Sequence, residues 1–210
     1  MENKNNKNTF AFETITISKG NTKTGAIPYV ALPAIVTCRK DAPCKKDCYA
    51  CKYCRRRSNV KKAYEKNYRI YRETPDLYFM QLSYAMKMTK YFRMHVSGDI
   101  PDAAYFARLV DVVRENDHCI VLMFTKQFEI VNTYIANGGK IPENFKIVFS
   151  NWNDWECENP YNFPVTNIYN KNELPPENWK LCGGNCQECA CRGVGCWQLQ
   201  KGEILGFKKH

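Results

Sequence analysis

Between residues 91 and 150 the chain alternates between two hydrophobic rhythms. YFRMHV (91–96), HCIVLMF (118–124) and FKIVFS (145–150) are apolar runs of strand length. PDAAYFARLVDVVREN (101–116) and QFEIVNTYIANG (127–138) space their apolar residues three and four apart, as helices do. Pro101 suits a first helical turn, and Gly138-Gly139 closes the second helix. Strand-helix-strand-helix-strand with short connections predicts a parallel sheet, because parallel strands need a crossover to return.

Upstream, residues 10–37 read as extended. FAFETITIS alternates, KGNTKTG turns, and IPYVALPAIVT is apolar and β-branched up to Cys38. A helix follows with Val60, Tyr64, Tyr68 and Tyr71 on one face, broken at Thr74-Pro75, and Leu77, Met80, Tyr84 and Met88 continue the stripe. The stripe reads as core packing in preference to a base-stacking platform. Downstream of 150 the rhythm dissolves, with a short strand expected at TNIYN (166–170) and another at EILGF (203–207). The expected division is an α/β core over 1–170 and a cysteine-rich segment over 171–210.

Composition narrows the class. With 210 residues and 44% hydrophobic content, the chain supports one main core. The polar start MENKNNKNTF has no secretory character, and no segment reaches the roughly 18 apolar residues of a membrane span, so a soluble, cytoplasmic protein without membrane contact is expected. In a reducing compartment twelve cysteines imply metal or redox chemistry more than disulfides. Ten of the twelve form two groups: Cys38, Cys44, Cys48, Cys51 and Cys54, then Cys182, Cys186, Cys189, Cys191 and Cys196. Cys119, in an apolar run, and Cys157, in a polar loop, read as inert.

Charge is concentrated beside the first group. Residues 39–72 hold thirteen Lys or Arg against three acids, a local excess of ten that equals the net charge of the whole chain. Such a block, with Arg55, Arg56 and Arg57 at its centre, suits nucleic acid or another anionic substrate, or balances nearby thiolates.

Cys44, Cys48 and Cys51 have the spacing CxxxCxxC, Cys51-Lys-Tyr-Cys54 repeats its last part after a spacing of two in place of three, and Cys38, Cys44 and Cys48 form a third possible set. Three soft ligands from one loop suit a [4Fe-4S] cluster with one iron left open. In the second group, Cys182, Cys186, Cys189 and Cys196 are the preferred four for a closed cluster. Zinc is the alternative for either group, but zinc sites seldom crowd five cysteines into one loop.

The CxxxCxxC loop after a strand resembles that of radical S-adenosylmethionine enzymes. The resemblance implies a partial or shortened β/α barrel with its loops at the C-terminal strand ends. It further implies S-adenosylmethionine at the open iron, a reductant protein as partner, and a cofactor-binding role for Ser97, Gly98 and Asp99 at the end of the next strand. Asp99 reads equally well as the N-cap of the helix opening at Pro101. Cys48-Tyr49-Ala50, Gly98-Asp99, Thr125-Lys126 and Cys196-Trp197 together resemble the phage gene product 88 proteins, presumed iron-sulfur proteins; that likeness favours Cys38, Cys44 and Cys48 as ligands. His95 and Lys126, near strand ends, are candidates for substrate contact, weighed against a core histidine and a surface lysine. The expected function is therefore a small radical-type iron-sulfur enzyme. The alternatives are a non-catalytic iron-sulfur or zinc protein binding nucleic acid through its basic segment, and an electron carrier.

Overall fold

A computed structural model describes residues 13–152, 155–170 and 172–209. Seven strands form one sheet: β1 (Tyr29–Val30), β2 (Tyr91–Met94), β3 (Ile120–Thr125), β4 (Phe145–Ser150), β5 (Val165–Tyr169), β6 (Lys180–Leu181) and β7 (Ile204–Lys208). Their order is β1-β2-β3-β4-β5-β7-β6, and every pairing is parallel. The α/β class and parallel sheet therefore hold, and the sheet is open, since β1 and β6 do not pair.

Six α-helices accompany the strands: α1 (Tyr49–Arg56), α2 (Ser58–Glu73) and α3 (Pro75–Lys87) between β1 and β2, α4 (Ala103–Glu115) and α5 (Phe128–Ala136) in the next two crossovers, and α6 (Cys186–Cys191) between β6 and β7. Among the described residues no helix is long and apolar enough to cross a membrane.

The strand sequences explain why both sheet faces are covered. In β3, Val121 and Met123 face one core and Leu122 the other, so IVLMFT is apolar throughout, as a parallel strand between two layers must be. On the outer face α2 to α5 close over Phe92, Met94, Ile147 and Phe149. α4 contributes Tyr105, Phe106, Leu109, Val110 and Val113, all fully buried. Each such side chain favours folding by roughly 1.5–3 kcal/mol before entropy is counted. The inner face is covered by α6 and a short 3-10 turn at Gly195–Gln198, with Ala190, Trp197 and Leu199 against Leu122, Val148 and Leu205. The segment after residue 170 thus supplies two strands to the same sheet.

Three expectations are corrected. The extended run 27–37 yields only the two residues of β1. Past Leu32 the chain turns at Pro33, the Thr37 amide donates to the Pro33 carbonyl, and Ile35 takes a φ of 71°. Of FAFETITIS, residues 10–12 lie outside the described residues. Its later part makes no strand, only an isolated antiparallel bridge from Ser18 to Tyr29.

The stripe on α3 faces solvent. Met80, Tyr84 and Met88 are 62%, 67% and 72% exposed, while Tyr78, Phe79, Leu82 and Met86 are buried. Tyr78 and Phe79 pack edge-on against Tyr71 of α2, so α3 turns toward its aromatic neighbours on a different face. The break before α3 lies where expected: Thr74 leaves helical geometry (φ −141°, ψ 68°), and Pro75 opens the new helix with no amide to satisfy.

Asp99 is not the N-cap of α4. That position belongs to Asp102, which is extended (φ −161°, ψ 173°) and accepts from the Tyr105 amide at 2.9 Å and from the Tyr71 hydroxyl at 2.8 Å.

Candidate cysteine-lined site at the strand ends

In a parallel sheet every strand delivers its following loop to the same edge. Here the loops after β1, β2, β3 and β4 carry Thr37-Cys38, Ser97-Gly98-Asp99, Thr125-Lys126 and Ser150-Trp152 to that edge.

The first two loops are docked without slack. Gly98 has a φ of +75°, and a Cβ there would stand 2.6 Å from Thr37 Oγ1 and 2.7 Å from the Leu32 carbonyl oxygen, so only glycine fits. The Asp99 amide donates to Thr37 Oγ1 at 3.0 Å, and the Leu32 amide to the Ser97 carbonyl at 2.9 Å. Gln127 Nε2 bridges the Thr37 and Ile100 carbonyls at 3.3 and 2.9 Å. The backbone on which Cys38 sits is thereby fixed relative to β2 and β3.

Asp99 is buried and braces the ends of β2 and β3. Its carboxylate accepts from Thr125 Oγ1 at 2.6 Å, the Lys126 amide at 2.8 Å and the Ile100 amide at 2.8 Å. Burial raises its pKa, and these three donors oppose the rise. Ser97 is also buried, and among the described residues its hydroxyl has no partner. A buried hydroxyl with unspent bonding capacity at a strand-end loop suits a polar ligand group.

Three thiols gather beside this brace. Cys38, Cys44 and Cys48 lie within electrostatic reach of one another, and Cys38 and Cys44 of Asp99. Burial pushes the Cys38 thiol up to about 12, and Cys44 rises for the same reason, with Lys126 opposing. Lys126 itself is lowered by burial, against the pull of Cys44, Asp99, Cys38 and Cys48. Its ammonium donates to Ser150 Oγ at 2.6 Å and stands 5.9 Å from the Trp152 ring centre. Lys126 is accordingly a half-buried cation turned toward the thiols.

Cys51 and Cys54 follow on α1. Cys51 neighbours Cys48 and Cys54, and burial followed by the Cys48 contact pushes it up to about 11. Cys54 packs into a small apolar cluster with Tyr29, Ala31 and Tyr64. Cys48 is thus shared between the group facing Asp99 and Lys126 and the pair on α1. Arg55, Arg56 and Arg57 are exposed at the end of α1, with Arg57 5.1 Å from the Tyr53 ring centre. Among the described residues none of the three pairs with a carboxylate, whereas Arg39, Lys52, Lys61 and Arg69 do.

His95 points away from this edge. Its φ of 52° departs from strand geometry, and Nε2 lies 3.0 Å from the Tyr105 hydroxyl in the outer core. Cys119 is fully buried among apolar side chains and Cys157 packs at their margin. Among the second group, Cys186, Cys189 and Cys196 pack into the inner-face cluster, while Cys182 and Cys191 are exposed.

Among the described residues no three or more His, Cys, Asp or Glu side chains converge on one point as ligands of a single ion do.

Several residues escaped the sequence reading: Thr37, Gln127, Ser150, Trp152 and, on β2, Arg93. Only Arg93 left a signal, as a lone cation inside the apolar run YFRMHV.

Fold and sequence together define a class: an open parallel α/β sheet with a cysteine-rich loop after its first strand. The chain belongs to the Gene product 88 family, whose profile matches residues 1–162, and this supports the expectation of a phage protein. Comparison with curated proteins and with solved structures finds no significant match.

Proposed function

We propose that this protein is a small iron-sulfur enzyme of the radical S-adenosylmethionine kind, with its cluster held by Cys38, Cys44 and Cys48. The observation that carries the reading is the gathering of these three thiols, from the loop after β1, beside the braced Ser97-Gly98-Asp99 end of β2. When bound, a [4Fe-4S] cluster with three protein thiolates offers one iron to an outside ligand and, once reduced, an electron to that ligand's sulfonium.

The chain's own residues prepare the mouth. Asp99 holds the ends of β2 and β3 in register, and Gly98 lets the loop carrying Cys38 close down. Ser97 keeps a hydroxyl for a polar ligand group. Lys126 offsets the negative charge that the thiols take on when metal binding displaces their protons to solvent. Cys51, next to Cys48, is the competing third ligand in the CxxxCxxC spacing.

The test is anaerobic purification with iron and sulfide analysis, then electron paramagnetic resonance of the reduced protein before and after S-adenosylmethionine. A reduced signal that changes on addition, retained in C51S and lost in C38S, is the expected result. A signal indifferent to S-adenosylmethionine would overturn the enzyme reading, and the reverse variant pattern would make Cys51 the ligand.

A second reading, a nucleic-acid-binding protein, is favoured by the exposed Arg55, Arg56 and Arg57 with no ion-pair partner among the described residues. It requires affinity for single- or double-stranded nucleic acid that falls steeply with salt and vanishes in R55E/R56E/R57E. Salt-insensitive or absent binding removes it.

A further inference from the structure

The second cysteine group carries an inference independent of the first. Cys186, Cys189 and Cys196 pack into the inner-face cluster, and Gly183, next to Cys182 in the chain, stands against the Cys189 sulfur. Donors are aimed at two of these cysteines. The Gly184 amide points to Cys182 Sγ at 3.4 Å, and Arg93 Nη1 to Cys186 Sγ at 2.9 Å. Backbone approach to Cys189 needs glycine twice: a Cβ at Gly183 or Gly195 would stand 3.2 or 3.1 Å from its sulfur, and Gly195 has a φ of +69°. Donors converging on sulfur stabilise thiolate over thiol and tune iron-sulfur centres.

Arg93 supplies the second observation. It extends from β2 onto the inner face, 4.8 Å from the Phe124 ring centre, and its Nε is buried with no partner among the described residues. Among the described residues it pairs with no carboxylate, and a half-buried guanidinium gains from an anion beside it. The acceptor it does reach is Cys186, and Cys196 lies within its electrostatic range.

We infer that Cys182, Cys186, Cys189 and Cys196 form a second, closed iron-sulfur centre on the inner face of the sheet, with Arg93 as its half-buried counter-cation. Four protein thiolates leave no iron open, so this centre takes no small-molecule ligand. Cys191 is not one of its ligands.

Iron and acid-labile sulfide are measured in anaerobically reconstituted full-length chain and three variants. C38S/C44S/C48S keeps about half of the wild-type iron and sulfide, C182S/C189S keeps the other half, and C191S keeps all. Because C182S/C189S disturbs the inner core, the decisive sample is C38S/C44S/C48S. A folded, iron-free protein, or one holding zinc in place of iron, overturns the second centre whatever becomes of the first. R93Q retains full iron but shifts the midpoint potential of the centre left in C38S/C44S/C48S to a more negative value, because removing a nearby cation disfavours the added electron. An unchanged potential overturns the role of Arg93. The response to S-adenosylmethionine tests only the first site, so the two readings fail separately.

Discussion

At Gly98 a single missing methyl group holds two loops together. G98A would press a Cβ against the Leu32 carbonyl and Thr37 Oγ1 in a left-handed backbone conformation, costing about 3 kcal/mol of stability. Urea denaturation reads that loss, and the loop carrying Cys38 would lose its seat with it. His95 makes a different prediction. Burial lowers its pKa from 6.5 to about 3, so between those values the unfolded chain binds a proton that the folded chain does not. Its favourable contribution is complete above about pH 6.5 and is lost as pH falls toward 3, with a slope approaching roughly 1.4 kcal/mol per pH unit. The groups facing it are the Tyr105 hydroxyl and, through it, Tyr78, with Tyr71 and Asp102 beyond. H95N tolerates the positive φ, and its stability should lack this acid-limb slope; an unchanged slope assigns it to other groups. Neither role was legible in sequence, because a left-handed φ and an unpartnered ring nitrogen leave no trace in residue spacing. The cysteines were legible because their spacing itself is the chemistry.

Helix α4 concentrates more of the core than any neighbour, and its two ends make separable contributions. L109A leaves a cavity beneath the sheet and should cost about 2–5 kcal/mol. D102A removes both the N-cap and the acceptor of Tyr71, costing about 1–2 kcal/mol. Thermal unfolding of the two variants and their double mutant would give losses that add if the ends act independently. The strands β2, β3 and β4 and the helices α4 and α5 were readable because their apolar rhythm matches burial on both faces. Other elements were hidden. β6 is two exposed residues with no apolar run, and α1 and α6 lie inside the cysteine groups, where thiols interrupt the periodicity. On α3 several apolar positions sit at helical spacing, and only the aromatic faces of α2 and α4 decide which are buried. That choice is tertiary, so spacing alone picked the exposed stripe.

Across the whole molecule, Trp197 fastens the second cysteine group to the sheet. It is almost fully buried, packs edge-on against Tyr91 at 5.1 Å, and its indole N–H donates to the Cys186 carbonyl at 2.9 Å. W197A should cost about 3–5 kcal/mol and expose the 182–196 segment to limited proteolysis before the helical layer is cut. Simultaneous cleavage of both layers would mean they unfold as one unit. The strand order carries a last consequence, for assembly. β7 comes after β6 in the chain yet lies between β5 and β6, so β6 has nothing to pair with until β7 has docked. β7 is the keystone of this end of the sheet, and until it arrives the flank of β5 is an unpaired edge that a second nascent molecule can capture. The thiols between β6 and β7 are therefore gathered last, which makes loading of that end a late event, timed by the closing of the sheet and exposed to oxidation beforehand.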